Sequence, residues 1–157
     1  MRKMYVVGAV LFIALIFGAI ITSGSVPKYY LNIPSFIMVT GITFVLLLMN
    51  FSVREMGRSF AVGFRKKDAN LEDLKRGFIF FQTMQFYLLL AGFLGTMIGA
   101  MAMLVHLKDS TRVTSGAALS LMTFLYGFVF LMLVAIPFKT GIKKRIVEAG
   151  AKVPNSH

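Results

Sequence analysis

The side chains able to do chemistry in this sequence are few and mostly neutral. Thr96 and Thr123 each place a hydroxyl inside a long apolar run, among small residues at helical spacing. Gly92, Gly95, Thr96 and Gly99 fall at offsets 0, 3, 4 and 7, which is one face of a helix. Gly116, Ser120, Thr123 and Gly127 follow at steps of 4, 3 and 4, again on one face. Two uses fit such faces. Small residues let two backbones approach closely in lipid, and Gly95 with Gly99 makes the GxxxG pattern of such seams. A threonine hydroxyl can bond its own carbonyl four residues back. It can also offer a neutral donor and acceptor to water or to a carboxylate in a pore. The residues alone leave both uses open.

Chemistry that needs charge within a membrane finds no candidate. Asp and Glu number six: Glu55, Asp68, Glu72, Asp73, Asp109 and Glu148. None lies inside an apolar stretch. Proton-coupled transporters place such a residue within their helices, so here a proton-carrying carboxylate would have to come from a partner. There is no cysteine, and only His106 and His157 offer imidazole. Disulfides, thiolate sites and multi-histidine metal sites within one chain are excluded. No phosphate-binding loop and no nucleophile with a matched base appears, so neither an enzyme nor a cofactor is expected. His106 comes seven residues after Gly99 and shares its face. A pH-sensing role and a plain interfacial histidine both fit it. Pro137 is expected to end or kink a helix, with neighbours satisfying the freed carbonyl.

The elements that hold these residues must be membrane helices. The 157 residues are 57% hydrophobic and 15% charged, with a mean hydropathy of +0.78. An ordinary soluble domain is about a quarter charged. Spanning roughly 30 Å of hydrocarbon takes about 20 apolar residues. Four stretches qualify: 5-21, 33-51, 78-107 and 116-138. The predicted fold is therefore a single all-α membrane domain of four transmembrane helices, with a loop over 52-77 and a basic tail over 139-157 whose Lys139 to Lys152 stretch suits a basic helix. The third stretch would reach about 45 Å as a helix. Its early part, with Gln82 and Gln85, is expected to project beyond the bilayer or pack on other helices. Met1 to Pro27 also resembles a secretion signal, but its apolar run is long for one, and it is expected to stay as a helix.

Basic residues set the orientation. Alternate compartments hold fourteen and three Lys or Arg. The positive-inside rule puts both termini and the middle loop in the cytoplasm. The net charge of +11 follows this topology, so nucleic acid is not an expected partner. The basic segments suit membrane lipids or another protein. Asn70, followed by Glu72 and Asp73, looks like a helix start.

Three segments carry a family resemblance. Tyr30-Leu31-Asn32-Ile33-Pro34-Ser35, running into Thr40-Gly41, resembles the second helix of the MotA branch of the MotA/TolQ/ExbB proton-channel family. Leu94-Gly95-Thr96-Met97-Ile98-Gly99 resembles the GTxxG segment found across that family. Met122-Thr123-Phe124-Leu125-Tyr126-Gly127, followed by Ala135-Ile136-Pro137, resembles the MotA fourth helix. The resemblance implies a homopentamer in the bacterial inner membrane. The ring would surround a single-span partner similar to MotB, ExbD or TolR, which brings an aspartate into the pore. It further implies that Thr96 and Thr123 face that aspartate and the ion. Gly95, Gly99 and Gly127 would allow close packing, and Pro137 would match the fourth-helix proline. Ion flow would then drive a stator-like motor.

Two departures stand out. The proline that the MotA branch carries early in the third helix is missing, with Ala91 or a neighbour in its place. The segment between the second and third helical stretches is only about 26 residues, much shorter than in the MotA branch, so no residue is carried over for rotor contact. Two alternatives stay open: a non-conducting structural membrane module, and a small four-helix transporter that acts alone.

Overall fold

The computed structural model describes residues 2–24, 26–64, 69–150 and 154. Ser25, Arg65, Lys66, Lys67, Asp68 and Lys152, which figure in the charge and turn arguments, lie outside the described residues, as does His157. All the regular structure described is helical, and four helices are long and apolar enough to cross a membrane.

Helix α1 runs Arg2–Thr22, and a 3-10 turn at Pro27–Tyr30 leads to α2, Ile33–Asn50. The Asn32 side chain caps α2 by accepting from the Ser35 N–H at 3.0 Å, and Pro34 sits in the first turn, where its missing N–H costs nothing. Helix α2 buries one stripe, Ser35, Val39, Thr43 and Leu47, at steps of four. Helix α1 is apolar on every side and buries almost none of it in its own chain.

The segment expected as a loop contains a helix, α3, Val53–Phe64. Hydropathy averages hide it because it is amphipathic: Met56, Ser59 and Val62 face inward, while Arg54 and Arg58 face out. Its start is a capping box. The Ser52 N–H donates to the Glu55 carboxylate at 2.8 Å, and the Glu55 N–H donates to Ser52 Oγ at 3.3 Å.

Helix α4 spans Leu71–Val105, starting directly after Asn70 and seven residues before its apolar stretch, and α5 spans Ser110–Phe130, starting six residues before its apolar stretch. Asp109 caps α5 by accepting from the N–H groups of Thr111 and Arg112. Asn70 does stand at the start of α4, but its side chain makes no capping bond. A π-helical turn at Leu131–Ala135 joins α5 to α6, Ile136–Glu148. Most of the described part of the tail is helix, as its basic stretch suggests, but it continues the fourth span through the π-turn instead of standing apart. In each case the polar ends of helices that outrun the lipid were invisible to a search for apolar runs. At 35 residues, α4 is about 52 Å long.

The helices close around two packing regions. At the end of the bundle holding α3, the start of α4 and α6, a phenylalanine core gathers Phe78, Phe80, Phe81 and Phe138 with Leu74, Ile142 and Ile146. Phe81 stacks on Phe138 at 5.1 Å, and Phe60 meets Phe80 and Phe81 edge-on at 5.6 and 5.4 Å. Arg145 donates to the Val62 carbonyl at 2.9 Å, placing a cation on the last turn of α3. Toward the other end, α4 and α5 pack along their small residues. Helix α2 begins beside the middle of α5: Ser35 Oγ donates to the Leu119 carbonyl at 3.4 Å. The Tyr126 hydroxyl donates to the Tyr30 carbonyl and accepts from the Asn32 N–H. The α4–α5 hairpin therefore runs on past α2 by nine residues from Leu119 to Ser110, roughly 13 Å.

Candidate functional site

The two small-residue faces meet each other within one chain. A Cβ built on Gly99 would lie 2.6 Å from Ser120 N and 2.8 Å from the Gly116 carbonyl. One on Gly116 would lie 2.9 Å from the Gly99 carbonyl. A Cβ on Gly95 would strike Thr123 at 2.8 Å. At the deep end Gly127 and Gly92 oppose each other, with a Gly127 Cβ 3.2 Å from Gly92 Cα. Gly95, Gly99, Gly116 and Gly127 are tight for a Cβ, whereas one on Gly92 would make ordinary contacts at 3.5 Å.

The hydroxyls stitch the same seam. Thr96 Oγ1 lies 2.8 Å from the Gly92 carbonyl and 3.2 Å from the Ser120 carbonyl across the seam. Ser120 Oγ donates back to the Thr96 carbonyl at 3.1 Å. Thr123 Oγ1 stays on its own helix, near the carbonyls of Leu119 and Ser120 at 2.9 and 3.0 Å. Thr123 is completely buried, while Thr96 remains partly exposed. The structure thus brings Thr96 and Thr123 to one level. It encloses Thr123 behind Gly95 and leaves Thr96 at the rim. Each hydroxyl has one proton and two lone pairs. With the proton held by a carbonyl, the free lone pairs of Thr96 can accept from water or from a protonated acid.

Pro137 sits in the first turn of α6, just after the π-turn. It has no N–H for the carbonyl four residues back, that of Leu133. The Tyr5 hydroxyl of α1 donates there instead, at 2.6 Å, and the Tyr5 ring packs on Phe138 at 5.7 Å. The neighbour expected to satisfy the freed carbonyl is therefore a tyrosine from the far end of the sequence. Nothing in the spacing of either residue signals that pairing.

Below the glycines the seam turns polar. Lys139 Nζ donates to Gln85 Oε1 at 3.0 Å and lies 5.9 Å from the Phe78 ring centroid. Gln85 precedes Gly92 by seven residues, so it continues the same face of α4. Gln85 was noted in the sequence as part of a projecting end, but its lysine partner was not. His106 lies outside the seam, at the hairpin tip, with Arg112 Nη1 3.4 Å from its Nε2. Among the described residues no group of three His, Cys, Asp or Glu stands together as a metal site.

Comparison with curated proteins finds no match. The sequence model of the MotA/TolQ/ExbB proton channel family matches residues 64–153. The matched stretch begins at the last residue of α3 and takes in α4, α5, the π-turn and α6. It contains both hydroxyl-bearing faces, the tight Gly99–Gly116 crossing and Pro137, and it leaves Tyr30–Gly41 outside. Because it covers more than half of the chain, this membrane protein belongs to the MotA/TolQ/ExbB proton channel family.

Proposed function

We propose that the chain is the ring-forming subunit of an ion-driven, proton-type channel or motor, close to the MotA branch, with its basic end in the cytoplasm of a bacterial cell. Five copies would surround a single-span partner whose aspartate carries the ion. One observation carries this reading: the family match centres on the α4–α5 seam, and that seam has hydroxyls but no acid. Between Asp73 and Asp109, and again between Asp109 and Glu148, the sequence has no Asp or Glu. A channel built here has to borrow its carboxylate from another chain. Exposed apolar residues on the hairpin beyond α2, such as Met101, Leu104 and Val105, suit contact with neighbouring copies.

In this reading Thr96 lines the pathway and its lone pairs accept from the protonated partner acid. Protonation removes a charge that is costly in low dielectric, which allows the ring to step around its partner. Thr123 is the hydroxyl behind Thr96 and reaches the pathway when α4 and α5 shift apart. The test uses the assembly extracted with its partner from native membranes and placed in liposomes. Thr96→Val is expected to abolish acid-driven proton uptake while leaving the ring and the partner together. Unchanged uptake would remove Thr96 from the pathway. Electron micrographs of the same particles are expected to show fivefold symmetry.

The hydrogen bonding favours a second reading, a non-conducting structural module. Thr96, Ser120 and Thr123 all have their hydroxyls occupied by carbonyls of their own chain. If Thr96→Val and Thr123→Val together leave the biological output of the cell intact, that reading stands.

A further inference from the structure

A cleft of about 240 Å³ opens between α3 and the first turns of α4. It is small beside the roughly 300–1,000 Å³ of drug-sized pockets. Its walls are mostly apolar, with Phe51 and Ile79 at one side and a set of charges at the other. Its depth in the membrane follows from α2. That helix has 18 residues, about 27 Å, which is close to the thickness of the hydrocarbon layer. Phe51, the residue after α2, therefore marks the hydrocarbon edge. Its ring lies 5.3 Å from Phe80, next to Ile79 in sequence. The charged side of the cleft falls in the adjoining headgroup layer.

Four charged residues line the cleft: Glu55, Arg58, Asp73 and Arg76. Two are occupied. Glu55 accepts from Ser52, and Arg76 pairs with Glu72 at 2.7 Å. The other two are not. Among the described residues, Arg58 and Asp73 have neither a hydrogen bond nor an ion pair, with each other or with another side chain, although Asp73 is close enough to Arg76 to attract it. Asp73 is nonetheless half-buried. Among the described residues, Arg58 and Asp73 thus face one headgroup-sized space beside the hydrocarbon edge with no hydrogen bond of their own, Asp73 lying within the field of Arg76.

We propose that this cleft is a binding site for a zwitterionic phospholipid headgroup bearing a primary ammonium, that of phosphatidylethanolamine. The phosphate lies on Arg58, the ammonium donates to Asp73, and the acyl chains leave past Phe51 and Ile79. The lining holds two acids and two arginines, a balance that suits a zwitterion; an anionic lipid would satisfy Arg58 but offer no donor to Asp73. The site is independent of ion conduction and stands whether or not the chain forms a pore.

The test is native mass spectrometry of the full chain in mild detergent, with phosphatidylethanolamine, its N-methyl and N,N-dimethyl forms, phosphatidylcholine and phosphatidylglycerol of identical acyl chains. Phosphatidylethanolamine is expected to be retained at least fivefold more than phosphatidylglycerol. Retention should fall with each methyl added to the headgroup nitrogen, since each removes an N–H donor to Asp73. Asp73→Asn should abolish the preference, Arg58→Gln should lower retention of all the lipids, and Arg58→Lys should restore it. The methylation series uses the unaltered chain, so it stands if a variant fails to fold. Equal retention of phosphatidylglycerol would overturn the proposal. So would insensitivity to methylation, or displacement of the lipid by inorganic phosphate without preference for ethanolamine.

Discussion

The α4–α5 seam and the phenylalanine core hold the same helix, α4, by opposite means. In the seam the contact is made by what is missing. Gly99 and Gly116 have no Cβ, so two backbones approach until one carbonyl nearly touches the other helix. In the core the contact is made by bulk, and Phe78, Phe80 and Phe81 occupy nearly consecutive positions with almost no exposure. The medium explains the difference. Lipid tails solvate a leucine as well as a neighbouring helix does, so helices in lipid gain by close approach and interhelical hydrogen bonds. At the basic end α3 turns a charged face outward, toward water and headgroups, and burying large apolar side chains is favourable there. One helix therefore crosses from one packing regime to the other near Leu88.

If that contrast is right, the two regions respond to opposite substitutions. The largest effect is expected in the core. Phe81→Ala should cost about 3–5 kcal/mol, read as a fall in the thermal unfolding midpoint of the detergent-solubilised chain. In the seam, adding a methyl is the damaging change. Gly99→Ala should cost about 1–3 kcal/mol, since the new Cβ meets backbone that cannot give way. Gly92→Ala is its internal control. Its nearest Cβ contacts are 3.5 Å, and alanine favours the helix by up to about 1 kcal/mol, so this variant should be neutral or stabilising. Equal losses at Gly92 and Gly99 would show that the seam is not the tight contact described.

Tyr5→Phe tests the link between α1 and the rest. It removes the hydrogen bond that Tyr5 gives the Leu133 carbonyl, a loss of about 1–2 kcal/mol. The matching local readout is faster proteolysis or amide exchange in α1 with the α4–α5 seam unchanged. The smallest effects belong to α3. Ser52→Ala removes its cap and should cost about 1 kcal/mol, seen as faster amide exchange over Val53–Phe64. Acid should loosen the same helix. The hydrogen bonds from Ser52 hold the Glu55 carboxyl below its usual value near 4.5. Its stabilising effect is therefore complete above that value and is lost as the pH falls through the lower, folded one. Amide exchange in α3, measured against the seam across that acid range, is expected to rise in α3 first.

Much of the seam was legible in the sequence. The face formed by Gly92, Gly95, Thr96 and Gly99, and the face formed by Gly116, Ser120, Thr123 and Gly127, follow from the helical repeat alone, and the two do meet. The Ser52–Glu55 capping box was legible as well, as a serine followed three residues later by glutamate, but it lay in a stretch too polar for a search for apolar runs. Lys139 opens a basic stretch that the sequence reads as a separate tail helix. The helix simply continues through it and carries it back to Gln85. Pairings such as Tyr5 with Leu133 and Arg145 with Val62 join residues far apart in the chain, and no local pattern records them.

The membrane spans, the small-residue faces and the absence of any acid between Asp73 and Asp109 came from composition and spacing. Those are local properties: a helix repeats every 3.6 residues, and lipid tolerates few charges, whatever the rest of the chain does. Which hydroxyl stays at a rim and which is sealed was a matter of three dimensions. Thr96 and Thr123 look equivalent as residues. They part ways because α4 and α5 cross where Gly95 opposes Thr123, and the side chain facing a missing Cβ is the one the neighbouring helix covers.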